Sequence, residues 1–162
     1  MEYMIANNYH LEEILKMKNL VKSRIIKEGL PIWKNGYPLD EIIIEDIEFH
    51  RGRVILLDGK VVAYASISHV GEEYGIDIFT NNNLATFGRV MVLDGYTGMH
   101  IGDLLVKSLI DEAKLFGEDG MGIAVDSCNI KAVNLYTKNG FKRVGEYQFP
   151  FAHLDLYEQY FN

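Results

Sequence analysis

Asn129-Ile130-Lys131-Ala132-Val133-Asn134-Leu135-Tyr136-Thr137-Lys138-Asn139-Gly140-Phe141 decides how this chain is read. Residues 130–138 suit a helix that Asn129 can cap, since an Asn side chain accepts from the open N–H groups of a first turn. Before it, Met121–Val125 reads as a short buried strand. After it, Phe141–Phe149 reads as another. Upstream, Ala85–Leu93 is a strand nearly continuous in Val, Met and Phe around Arg89. Asp94–Gly98 makes a turn, and Ile101, Leu104, Leu105, Ser108, Leu109, Ala113 and Phe116 form a helical stripe closed by Gly117. Two strand–helix–strand passages therefore follow one another, which predicts parallel strand pairing in the second half.

The first half carries different signals. Met4–Ala6 suits a short strand. Leu11, Ile14, Met17, Val21 and Ile25 recur at three- and four-residue steps, on one face of a helix that Gly29 and Pro31 end. Pro38 and Asp40 open a second helix with Leu39, Ile43 and Ile47 spaced by fours. Arg53–Leu57 and Val61–Ser68 are rich in β-branched residues, and Asp58-Gly59 between them is a strong hairpin turn. His153–Tyr157 suits a last strand. A mixed sheet with helices packed on it is the expected architecture.

Composition narrows the function. At 162 residues, 48% hydrophobic, the chain suits one domain of the common ~100–150-residue class. Sixteen Lys and Arg face 23 Asp and Glu, and the net charge of −7 argues against broad nucleic-acid binding and against docking on an anionic membrane. No apolar run nears the ~18 residues of a membrane span, and no signal peptide is visible at the start, so a cytoplasmic location is expected. A lone cysteine, Cys128, and five scattered histidines predict no metal site. Cys128 has no His/Asp company to make it a nucleophile and is expected to be a small buried residue.

The stretch from Val92 to Gly102 runs from strand to helix with glycines at 95, 98 and 102. A phosphate or pyrophosphate is the natural occupant of such a turn, because the helix start offers unpaired N–H groups. It is neither a P-loop nor a dinucleotide G-x-G-x-x-G turn.

Together these elements resemble the GNAT superfamily of acyl-CoA-dependent N-acetyltransferases. Asn129-x-x-Ala132-x-x-Leu135-Tyr136-x-x-x-Gly140-Phe141 matches that family's pattern at every named position. The family's Gln/Arg-x-x-Gly-x-Gly/Ala falls on Thr97-Gly98-Met99-His100-Ile101-Gly102. There Gly102 is kept, while Thr97 stands for Gln/Arg and His100 for the first glycine. The likeness is good over residues 53–149. Trp33-x-x-Gly36-Tyr37-Pro38 followed by Asp46 looks like a subgroup of small bacterial members with unassigned substrates.

The resemblance implies a mixed α/β fold of one domain, 1–162, with a cofactor-binding core over 85–149. Its sheet is mostly antiparallel, splayed between the fourth and fifth strands and flanked by about four helices. It implies an acyltransferase that moves an acetyl group from acetyl-CoA to a primary amine of a small molecule or peptide. Met91, Val92 and Leu93 would serve the pantetheine through their backbone, and one of their N–H groups could polarise the thioester carbonyl. Thr97, Gly98, Met99, His100, Ile101 and Gly102 would hold the pyrophosphate. Tyr136 would protonate the departing thiolate, against the plainer reading of a packed tyrosine, and Asn129 would either bond the pantetheine or simply cap its helix. Trp33 and Tyr37 could wall the acceptor pocket. Glu72, Glu73 and Asp77 are candidate bases, with His69 behind them and no single one preferred. The acidic balance weakly favours a cationic acceptor such as a polyamine, an aminoglycoside-like amine or a peptide amine. The aromatic C-terminus (Tyr157, Tyr160, Phe161) leaves room for a homodimer. A non-catalytic acyl-CoA-binding module of the same fold is the alternative.

Overall fold

The computed structural model describes residues 1–72, 78–96 and 98–162. Its strands are β1 (Glu2–Ile5), β2 (Gly52–Leu57), β3 (Lys60–Ser68), β4 (Leu84–Val92), β5 (Gly120–Val125), β6 (Lys142–Gln148) and β7 (His153–Tyr160). Its α-helices are α1 (Leu11–Lys27), α2 (Asp40–Glu48), α3 (Ile101–Leu115) and α4 (Ile130–Lys138). The strands form a seven-stranded mixed sheet in the order β1-β2-β3-β4-β5-β7-β6. Contacts group into two compact units, Met1–Ser66 with Arg89–Leu105, and Ile67–Gly88 with Val106–Asn162.

In the first unit, β1 runs antiparallel to β2, with Glu2 opposite Leu56 and Ile5 opposite Arg53. Asp58 and Gly59 join β2 to β3 at positive φ, 51° and 79°, so that Leu57 faces Lys60. Two consecutive left-handed residues give the turn whose twist matches the strands. Along α1 the predicted stripe is buried: Ile14, Met17, Val21 and Ile25 share one cluster with Ala6, Ile43, Ile47, Val54, Val61, Tyr64 and Met91. Each such side chain contributes about 1.5–3 kcal/mol by leaving water. Arg89 stands mid-strand in β4 at φ 51°. A left-handed residue inside a strand breaks its alternation and re-aims the side chain.

In the second unit, β4 and β5 pair in parallel, Leu84 with Gly120, Ala85 with Met121 and Thr86 with Gly122. That pairing stops there, although β4 continues to Val92 and β5 to Val125. The second predicted parallel pairing is not made. β7 lies between β5 and β6 and pairs antiparallel with both, Gly122 facing Glu158 and Lys142 facing the same Glu158. Passage through α4 orients β6 like β5 but leaves room for one more strand, which the last segment fills. Phe87, Tyr136 and Phe141 form an aromatic cluster with centroids 5.5–6.2 Å apart. Gly140 turns the chain from α4 into β6 at φ 92°, and a Cβ there would lie 2.8 Å from Gln159 Nε2. The left-handed backbone is what favours glycine at that position of the motif, since the end of the Gln159 side chain can move aside.

Candidate active site

The phosphate turn begins where β4 ends. Leu93 N–H donates to Val62 O of β3 (2.9 Å), and Tyr96 N–H closes the turn on Leu93 O (3.1 Å). Leu93 therefore spends its N–H inside the sheet. Successive residues of an extended chain present their N–H groups to opposite edges, so the amide turned away from β3 is that of Val92. Met91 is core, 1% exposed.

Beyond the turn, Gly98 sits at φ 86° with nothing within 4 Å of a built Cβ. His100 stands at φ 60°, a conformation glycine takes without strain. The position at which the family pattern has glycine thus keeps a glycine-like backbone although the residue is His. The first helical bond of α3 runs from Leu104 N–H to His100 O (3.0 Å), so the N–H groups of Ile101, Gly102 and Asp103 have no acceptor within the helix. The imidazole of His100 is exposed, 3.6 Å from the Asp103 carboxylate. Met99 is exposed and Ile101 buried. Thr97 lies outside the described residues, as do Glu73 and Asp77.

In the second unit, Asn129 caps α4 by accepting from Ala132 N–H (3.3 Å). Its Nδ2 has no partner among the described residues. Tyr136 lies two turns further along, 3% exposed. Its ring stands edge-on to Phe87 and Phe141. Among the described residues its hydroxyl makes no hydrogen bond, and burial alone pushes the phenol above its ordinary value. That leaves the hydroxyl free to serve a ligand. Cys128 is exposed, not buried as the sequence suggested. It belongs to the tight turn between β5 and α4, where its N–H bonds Asp126 Oδ1 (2.9 Å).

His69 is ill suited to be a base. Its Nδ1 meets Glu118 and its Nε2 lies 3.3 Å from Glu112 Oε2, with the ring stacked on Phe116 at 3.6 Å. Burial works against its charge, but hydrogen bonds to both carboxylates and their charges prevail and hold its pKa above 6.5. A raised pKa means that the folded state binds this proton more tightly than the unfolded chain. The stabilisation is complete below the unfolded value near 6.5 and disappears as pH climbs through the folded value. The melting temperature should therefore decline on the alkaline side of about pH 6.5, and His69→Gln should flatten that decline. Calorimetric scans from pH 6 to 9 would refute the ion clasp if parent and variant kept parallel profiles. Glu72 is also engaged, accepting from His69 N–H (3.1 Å).

Trp33 and Tyr37 do come together, ring centroids 6.4 Å apart and planes at 79°. Beside them is a cluster that the sequence reading missed. Asp46 is fully buried and accepts from Arg89 Nε (2.9 Å) and Nη2 (2.7 Å), from Tyr64 Oη (2.6 Å) and, at longer range, from Arg51 Nε (3.5 Å). Arg89 Nη1 reaches Tyr37 Oη at 3.4 Å. Burial, then the charge and bond of Asp46, push the Tyr64 phenol up. Burial opposes the charge on Arg89, but the Asp46 bonds outweigh it and raise that pKa. Two signals pointed here: a cation amid an apolar strand, and Asp46 sharing the Ile43/Ile47 face of α2. Among the described residues no group of three His, Cys, Asp or Glu side chains is placed to hold a metal ion. No helix among them is long and apolar enough to cross a membrane.

The sequence model of the Acetyltransferase (GNAT) family matches residues 24–141. The chain belongs to that family. It is a GNAT acyltransferase, and its fold agrees with solved members. An acetyltransferase of the GNAT family from Streptococcus agalactiae 2603 superposes with a TM-score of 0.85 at 21% identity, covering 99% of this chain and 95% of the other. A ribosomal-protein-alanine N-acetyltransferase from Brucella melitensis gives 0.74 at 20% identity, covering 99% and 100%. An N-acetyltransferase from Staphylococcus aureus Mu50 gives 0.74 at 20%, covering 98% and 97%. No curated protein matches the sequence. Within that family's motif, Asn129 caps α4, Tyr136 and Phe141 are buried, and Gly140 turns the chain at positive φ.

Proposed function

We propose that this acyltransferase is a single N-acetyltransferase domain, 1–162, that moves an acetyl group directly from acetyl-CoA to a primary amine of a small molecule or peptide. Acetyl-CoA, when bound, supplies the acetyl group as a thioester. The observation that carries the reading is Tyr136, a buried side chain whose hydroxyl makes no hydrogen bond among the described residues and fits a thiolate's need for a proton. Its raised pKa keeps it protonated, as an acid must be before reaction.

In the first unit, the α3 N–H groups at Ile101 and Gly102, with Gly98, Met99, His100 and Thr97, receive the pyrophosphate. Val92 N–H, flanked by Met91 and Leu93, polarises the carbonyl. In the second unit, Asn129 Nδ2 is left to donate to pantetheine. The amine nitrogen bonds the acetyl carbon as the carbon–sulfur bond breaks. Tyr136 gives its proton to sulfur and regains one from water, which also takes the proton shed by the amine. Trp33 and Tyr37 wall the acceptor. A cytoplasmic protein with a cytosolic donor is the setting this implies, and a homodimer would have the edge strand β6 with exposed Val144 and Tyr147 to pair through.

Coenzyme A should raise the melting temperature, since a ligand that binds only the native state adds about 2.7 kcal/mol at a hundredfold excess over Kd. Thiol release from acetyl-CoA against a panel of amines tests the reaction itself. An unmoved melting temperature at millimolar coenzyme A would remove the donor assignment.

A further inference from the structure

We infer that Arg89 is a recognition group for a carboxylate on the acceptor, so that the substrate is a small amino-acid-like amine. The inference rests on the acetyltransferase reading for the amine half of the substrate. Its carboxylate half rests on the geometry around Arg89.

A guanidinium has five N–H donors on two forked edges. Asp46 takes the side edge, through Nε (2.9 Å) and Nη2 (2.7 Å). On the end edge, Nη1 makes only a long bond, and the second hydrogen of Nη2 has no partner among the described residues. Tyr37 Oη is the near neighbour there, 3.4 Å from Nη1. The Arg89 side chain is 20% exposed, whereas Asp46 is sealed at 0%. One edge is thus locked by a sealed carboxylate, in a side chain that is itself not sealed. Asp46 is also shared between two guanidiniums, since Arg51 approaches the same Oδ1. A forked pair of N–H donors, fixed from behind, matches a planar carboxylate.

Backbone strain points to the same place. Arg89 is left-handed at φ 51°, and so are Trp33 at 53° and Asn35 at 57°. A bulky residue such as Trp in that region is a true outlier, and such strain collects at ligand sites. Here two separate stretches are strained where the Trp33–Tyr37 ring pair and the Arg89 fork meet. Rings give contact area and the fork gives charge, the combination an amino acid needs. The overall acidity of the chain favours a cationic acceptor, but the local chemistry adds a requirement for an anion on the same molecule.

The test uses the twenty α-amino acids, their carboxamides and simple polyamines. Two quantities are read: acetylation rate by thiol release, and calorimetric affinity with coenzyme A present. At least one acid should surpass its own carboxamide by on the order of 10²-fold, because the amide leaves the fork unpaired. Arg89→Lys keeps the charge and loses the fork. It should cut that preference tenfold or more while the coenzyme A melting shift stays. If Arg89→Lys does not fold, the paired change Asp46→Asn with Arg89→Gln removes the buried charges together and should abolish the preference. Amides or polyamines equal to acids, a preference that survives these variants, or no acid binding at all would each overturn the inference. Arg89-dependent acid binding without any coenzyme A response would instead sink the acetyltransferase reading and leave the carboxylate site standing.

Discussion

Tyr136→Phe should lower kcat by about 10²–10³, or roughly 2.7–4 kcal/mol of barrier, and leave KM and coenzyme A affinity nearly unchanged. The ring keeps its edge-on contacts with Phe87 and Phe141, so packing is preserved. The hydroxyl it loses makes no hydrogen bond among the described residues. Deleting it leaves no partner orphaned, and stability should hold or rise slightly. Raised by burial, the Tyr136 phenol stays protonated across the neutral range, so no alkaline limb in kcat should trace to it. A purely structural tyrosine predicts the reverse, a moved melting temperature and unchanged turnover. Full activity in the variant would end the acid assignment.

Asp46→Ala should cost about 3–5 kcal/mol, a large part of the 5–15 kcal/mol that holds a typical domain together. The carboxylate is wholly buried and accepts from Arg89, Tyr64 and Arg51. Removing it strands guanidinium charge in the interior, which is worse than removing both partners. At about 2–4 °C per kcal/mol, the melting temperature should fall by roughly 6–20 °C. Tyr64→Phe is the graded control. It deletes one bond to a charged acceptor and should cost about 1.5–3 kcal/mol. Urea titrations placing Asp46→Ala within 1 kcal/mol of the parent would show that the cluster contributes little.

Much of this molecule is written locally. The bounds of α4, Ile130–Lys138, coincide with those expected, because a cap and a left-handed glycine lie at its two ends within the motif. The α1 stripe and the Asp58-Gly59 turn were legible for the same reason: each depends on residues two to four positions apart. The motif from Asn129 to Phe141 was enough to name the family that the match over 24–141 then showed. What escaped depends on which segments become neighbours. A strand's period of two tells which face is buried, not which edge it pairs with, so β7 between β5 and β6 was invisible. Asp46 is one of several acids on α2, and it became an anchor only when β4 brought Arg89 to it, 43 positions along the chain. His69, read as a candidate base, is clasped by Glu112 and Glu118 from the far end of α3 and just past it. Leu93 lost its N–H to Val62, and Cys128 was left on a turn. Local sequence sets each element's dihedrals and faces. Partners for buried charges and for strand edges are settled only when distant segments meet, because removal from water makes those pairings obligatory.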